Sequence, residues 1–193
     1  LAAEGIDTAE LEGVLQGRTE HPKQLALEVG HYRYMDKMVT DFVRRTMVAY
    51  PDSIFVITGD HSIRMDPTAQ PTLFEHESVP FVLYGNGVTK DILPKDAVGG
   101  HTAIVPTLIE LIAPEGFSYT SIARSMTEGT KYAFNSDCWI SREAMGNVDD
   151  DRMELLPGIA SPQDDLAAER EDALYEVAAM RTLSRILIGD MEQ

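Results

Sequence analysis

Asp60 and His61 stand side by side after a short apolar run, Ile54, Phe55, Val56 and Ile57, that ends at Thr58 and Gly59. A carboxylate and an imidazole delivered together at the end of a strand can share one cation, the first as a hard oxygen ligand and the second as a nitrogen ligand. Ligands at the carboxyl end of a parallel strand also fall where open α/β sheets place their sites. Taken alone, an Asp-His pair is more often a turn feature in which the carboxylate accepts a neighbouring amide. Its surroundings have to decide. Arg64 follows closely, and its guanidinium suits bidentate contact with a sulfate or phosphate oxygen, although an ordinary surface role fits the same position. His101 precedes a helix, where a neutral imidazole can ligate metal, contact an anion or hydrogen-bond the helix start. His31 and His76 read as structural or solvated.

The elements that must position these groups are legible from periodicity. From Tyr32 to about Ala49, Met35, Met38, Val39, Phe42 and Val43 fall on one helical face, so the spacing predicts an amphipathic helix that Pro51 and Asp52 terminate. The run 54–57 predicts a strand buried on both faces, with Gly59 permitting a tight turn, and Val79 to Tyr84 predicts a second such strand. Ser62 to Ser78 reads as a loop between them. Thr102 to Ala113 reads as a helix with Thr102 as its cap and Ile104, Leu108, Leu111 and Ile112 on its apolar face. This alternation predicts an α/β fold with a mostly parallel sheet covered by helices. Beyond Gly116, Lys131–Phe134 and Cys138–Ser141 read as a small β-hairpin, and 146–151 as an acidic turn. Ser161, Pro162 and Asp164 mark the start of a C-terminal amphipathic helix whose stripe runs through Leu166, Ala173, Val177, Met180, Leu183 and Leu187.

The order of an amphipathic helix, then IFVITGDHS, then SVPFVLYGNGV, then GGHTAIVPTLIELI resembles the alkaline phosphatase superfamily, nearest its sulfatase and lipoteichoic acid synthase-like phosphoglycerol transferase branch. The resemblance covers roughly residues 31 to 115, and its specificity lies in the joint occurrence of the three segments. It implies that Asp60 and His61 are metal ligands, for a divalent ion such as Mn, Zn, Mg or Ca. His101 matches a position where many sulfatase-like sequences carry histidine, and His21, followed by Pro22, resembles a substrate-loop histidine of the phosphoglycerol transferases. Either is then a candidate for protonating the leaving alcohol. The GDH triplet lies nearer the phosphoglycerol transferases than the sulfatases.

The same resemblance implies a sulfate or phosphate ester substrate and a Thr- or Ser-type nucleophile that no segment of this chain resembles. Residues 1–160 are accordingly expected to be the C-terminal part of a catalytic domain, with 161–193 a helical segment packed on it. The N-terminal half of that domain is then missing, so the chain alone is expected to be inactive and prone to self-association through an uncovered sheet edge. Leu1 in place of Met fits a piece of a longer parent. Family members act outside the cytoplasm, often tethered by N-terminal membrane helices, so an extracytoplasmic location is the corresponding expectation.

Composition narrows the field further. A chain of 193 residues, 44% hydrophobic, can bury a substantial core. Its formal charge of −16 would repel nucleic acid and anionic lipid at long range. The single cysteine, Cys138, excludes an internal disulfide and reads as a small buried hydrophobe. Two functional classes remain: a fragment of a metal-dependent hydrolase or transferase, or a noncatalytic scaffold that keeps the fold without binding metal.

Overall fold

The computed structural model describes residues 1–17, 20–62, 71–161 and 165–191. They form an α/β chain of two compact units, one comprising Leu1–Pro71 and Ser78–Val88, the other Thr72–Glu77 and Thr89–Gln193.

The first unit begins with a 3-10 turn, Ala2–Glu4, and two helices, α1 (Thr8–Leu15) and α2 (Pro22–Ala49). Asp7 caps α1 by accepting the N–H groups of Ala9 at 2.9 Å and Glu10 at 3.1 Å, satisfying two donors that no helical carbonyl can reach. Pro22 starts α2 because its missing N–H costs nothing in the first turn. The N-terminal segment crosses α2 closely where α2 is small: Ala26 and Gly30 are buried, and a Cβ on Gly30 would lie 3.0 Å from the side chains of Leu1 and Thr8. The helix therefore starts ten residues earlier than its apolar stripe predicts. That stripe is also incompletely covered, since Val43 is buried while Met35 and Phe42 are exposed. Phe42 meets Phe55 edge-to-face at 6.3 Å, which ties the helix to the first strand.

That strand, β1 (Ile54–Thr58), pairs with β2 (Phe81–Gly85) in the register Ile54 to Gly85 and Thr58 to Phe81. The pairing is antiparallel, so the expected parallel relationship between these strands is corrected. A parallel pair needs a covering crossover of a dozen or more residues. Between β1 and β2 the described helix is α3 (Leu73–Glu77), five residues long and part of the other unit. The expectation of strands buried on both faces is corrected with it: β1 is half-buried, and β2 alternates with Val82 and Tyr84 exposed, as antiparallel strands with one wet face do. Gly85 is obligatory at the end of the pair, with φ 142° and no room for a Cβ beside the carbonyl of Ser53.

The second unit contains α3, α4 (His101–Ile112), a 3-10 turn at Met126–Glu128, and a four-stranded antiparallel meander. Its strands are β3 (Ala133–Phe134), β4 (Cys138–Ile140), β5 (Ala144–Asn147) and β6 (Met153–Leu155), closed by α5 (Leu166–Met191). The expected hairpin is β3–β4, and the meander continues through β5 and β6; of the acidic turn expected at 146–151, Gly146 and Asn147 belong to β5 and the rest forms the β5–β6 connection. α4 is capped by Gly100, not Thr102, and buries Ala103, Pro106 and Thr107, while Ile112 is exposed. Thr107 satisfies its hydroxyl by donating to Ala103 O at 2.6 Å and accepting Met126 N–H at 2.9 Å.

The core of this unit gathers Tyr132, Trp139, Ala144 and Ala173, with Leu73, Cys138 and Met145 in a second cluster. Asp165 starts α5 by accepting the N–H of Ala167 at 3.0 Å. Ala173 and Val177 bury against the meander, whereas Leu183 and Leu187 of the expected stripe are largely exposed.

Candidate functional site

The strand β1 delivers Asp60 and His61 into solvent immediately after Gly59. Gly59 makes no left-handed turn, since its φ is not positive, but it packs closely: a Cβ would lie 3.3 Å from the Val79 side chain. The Asp60 side chain is 90% exposed and that of His61 68% exposed. Asp60 Oδ1 accepts the backbone N–H of His61 at 2.9 Å, the turn interaction that residue types alone allow.

The imidazole is oriented as well. His61 Nδ1 lies 2.8 Å from the carbonyl oxygen of Ser62, which can only accept, so Nδ1 carries the proton and donates. In the neutral ring, Nε2 then presents its lone pair. That nitrogen lies 3.7 Å from Asp60 Oδ2. Two donors on one tetrahedral ion at ordinary zinc distances stand about 3.4 Å apart, so a small rotation of either exposed side chain lets both reach a common cation. A backbone carbonyl fixing the tautomer of a ligating histidine is also a recurrent support for metal ligation. The pair thus fits a divalent ion as two donors. Among the described residues no group of three or more such side chains converges, so the remaining ligands of a complete shell are not assembled here.

The other sequence candidates lie on other elements. His21 is the residue before α2, and the 28 residues of that helix, roughly 42 Å of it, lie between His21 and the approach to β1. Its carbonyl accepts Leu25 N–H at 3.0 Å. His101 is the first residue of α4 and belongs to the second unit, while Asp60, His61 and His21 belong to the first. Arg64 lies outside the described residues. His31 is structural, with Nδ1 2.8 Å from the carbonyl of Leu27, and His76 pairs with Glu77 at 2.7 Å.

Cys138 is buried, and burial, reinforced by the nearby Glu77 carboxylate, pushes its thiol up to about 11. A thiol so disfavoured as thiolate is a packing residue and not a nucleophile. Sequence reasoning missed the buried pair Ser141 and Glu169, because a serine in a tight turn and a glutamate in a helix carry no pattern until the fold brings them together. No helix among the described residues is long and apolar enough to cross a membrane. No family model, curated protein or solved structure matches this chain.

Proposed function

We propose that this chain is the C-terminal part of a metal-dependent sulfuric or phosphoric ester hydrolase or phosphoglycerol transferase. The observation that carries the reading is the Asp60–His61 pair, two exposed donors 3.7 Å apart, with Nε2 of His61 left as a lone-pair donor by the bond from Nδ1 to Ser62. The ordered succession of GDH, VPF and PTL segments supports it.

In this reading Asp60 and His61 hold a divalent ion, which lowers the pKa of an alcohol nucleophile and stabilises charge on the transferring group. The nucleophile comes from polypeptide outside this chain. Asp60 neutralises part of the ion's charge, and His61 is held in the ligating tautomer by Ser62. In the assembled domain residues 1–160 complete the catalytic fold, β1 and β2 extend a larger sheet with parallel neighbours, and 161–193 pack on it. The parent acts outside the cytoplasm.

The test is hydrolysis of p-nitrophenyl phosphate and p-nitrophenyl sulfate by the full-length parent with added Mn²⁺ or Zn²⁺. Activity that Asp60→Asn and His61→Ala each abolish supports the enzyme. A parent inactive on both esters with every ion, or activity indifferent to both substitutions, favours the noncatalytic scaffold.

A further inference from the structure

We infer that the second unit carries a binding cleft for an uncharged small molecule with an aromatic or short aliphatic body. The cleft encloses about 430 Å³ between the start of α4, the segment 122–134 and α5. This lies within the range typical of small-molecule sites. It is lined by the second unit alone, so the inference stands apart from the reading of Asp60 and His61.

Gly99 and Gly100 line the cleft where the backbone is closely packed. A Cβ on Gly99 would run into the sulfur of Met126, and one on Gly100 would lie 3.3 Å from the carbonyl oxygen of Phe134. Two consecutive residues without side chains let the chain pass tightly against Met126 and Phe134 at the edge of the cleft. Thr130 Oγ1 donates to the carbonyl of Val98, tying together two segments that line the cleft. The walls are apolar and aromatic, with Tyr132 and Phe134 on one side and Tyr175, Met180 and Leu183 of α5 on another.

The charges decide the ligand class. Arg124 and Lys131 line the cleft, and so do Glu128 and Glu176, so the lining offers no net charge. The Lys131 ammonium is already engaged, 5.0 Å over the ring of Tyr132 and 3.7 Å from Asp172. A chain of formal charge −16 adds no long-range attraction for an anion. Apolar walls with balanced polar edges therefore suit a neutral body, with one polar end hydrogen-bonded at the rim.

The experiment titrates the full chain with N-phenyl-1-naphthylamine, which is uncharged, and with its sulfonated analogue, 8-anilinonaphthalene-1-sulfonate, reading probe fluorescence. Ala179 lines the cleft from an exposed position on α5, so Ala179→Trp fills it without entering the core. Leu183→Glu places a carboxylate in the same wall. Circular dichroism verifies folding of both variants. Expected is saturable binding of one uncharged probe per chain, weakened about tenfold or more in each variant, with the sulfonate bound about tenfold more weakly by the parent chain. Absence of saturation, or binding unchanged in two folded variants, overturns the site. Tighter binding of the sulfonate that Arg124→Glu removes overturns the ligand class.

Discussion

Ser141 Oγ donates a 2.9 Å hydrogen bond to Glu169 Oε2, and both side chains are buried. The same hydroxyl accepts the N–H groups of Glu143 at 3.2 Å and Ala144 at 3.1 Å, so one serine shapes the turn between β4 and β5 and anchors it to the first turn of α5. Removing it strands a buried carboxylate and two turn amides together. Ser141→Ala is expected to lower unfolding stability by about 1–3 kcal/mol in urea denaturation. Glu169→Gln, which keeps an acceptor for the hydroxyl, is expected to cost less. Equal stability of Ser141→Ala and the parent chain would show that water replaces these bonds.

Trp139 and Gly146 face each other across the β4–β5 ladder, and a Cβ on Gly146 would lie 2.7 Å from the indole nitrogen. The indole is fully buried and its N–H has no partner among the described residues, so it gains nothing from being displaced. Gly146→Ala is expected to destabilise by about 1–3 kcal/mol through overpacking. Trp139 is the single tryptophan of the chain, so near-ultraviolet circular dichroism reads the change directly.

The sequence carries the elements better than their partners. Apolar runs and helical periodicity locate β1, β2, α4 and α5 to within a few residues, and the β3–β4 hairpin is written in its turn residues. Pairing direction is not local: the short apolar run at 54–57 fits a parallel or an antiparallel strand, and only its register with β2 shows it to be antiparallel. β5 and β6 escape notice because Ala144–Asn147 and Met153–Leu155 are short and mixed in polarity, and pairing defines them more than propensity does. At the candidate site the adjacency of Asp60 and His61 is readable. The tautomer set by Ser62 is not, since it depends on the fold of the turn.

Glu154 accepts the backbone N–H of Leu73, at the start of α3, at 2.7 Å and the guanidinium of Arg152 at 2.7 Å. The Leu73 N–H, followed by Arg152, holds its carboxyl below the ordinary 4.5. A depressed folded-state value means the contribution is fully present above pH 4.5 and is lost as pH falls through the lower, folded-state value. Urea midpoints measured from pH 7 down to about pH 3 are expected to fall less steeply in Glu154→Gln than in the parent chain. Parallel curves would show that the carboxylate contributes no pH-dependent stability.

β1 and β2 hydrogen-bond only to each other among the described residues, leaving their outer edges unpaired, and Val82 and Tyr84 are exposed on one face. Such edges template further pairing. Light scattering is expected to show a mass that rises with concentration, and Val82→Lys is expected to reduce the rise. A monomer at every concentration would count against an adhesive sheet.

Asp60 and His61 are proposed to hold one divalent ion between them. Calorimetric titration of Mn²⁺ and Zn²⁺ into the metal-stripped chain, beside the variant Asp60→Ala/His61→Ala, reads that binding. The predicted result is saturable binding of one ion by the chain and its loss in the double variant. Binding that the variant retains in full, or no binding by the chain itself, would show that the pair holds no ion.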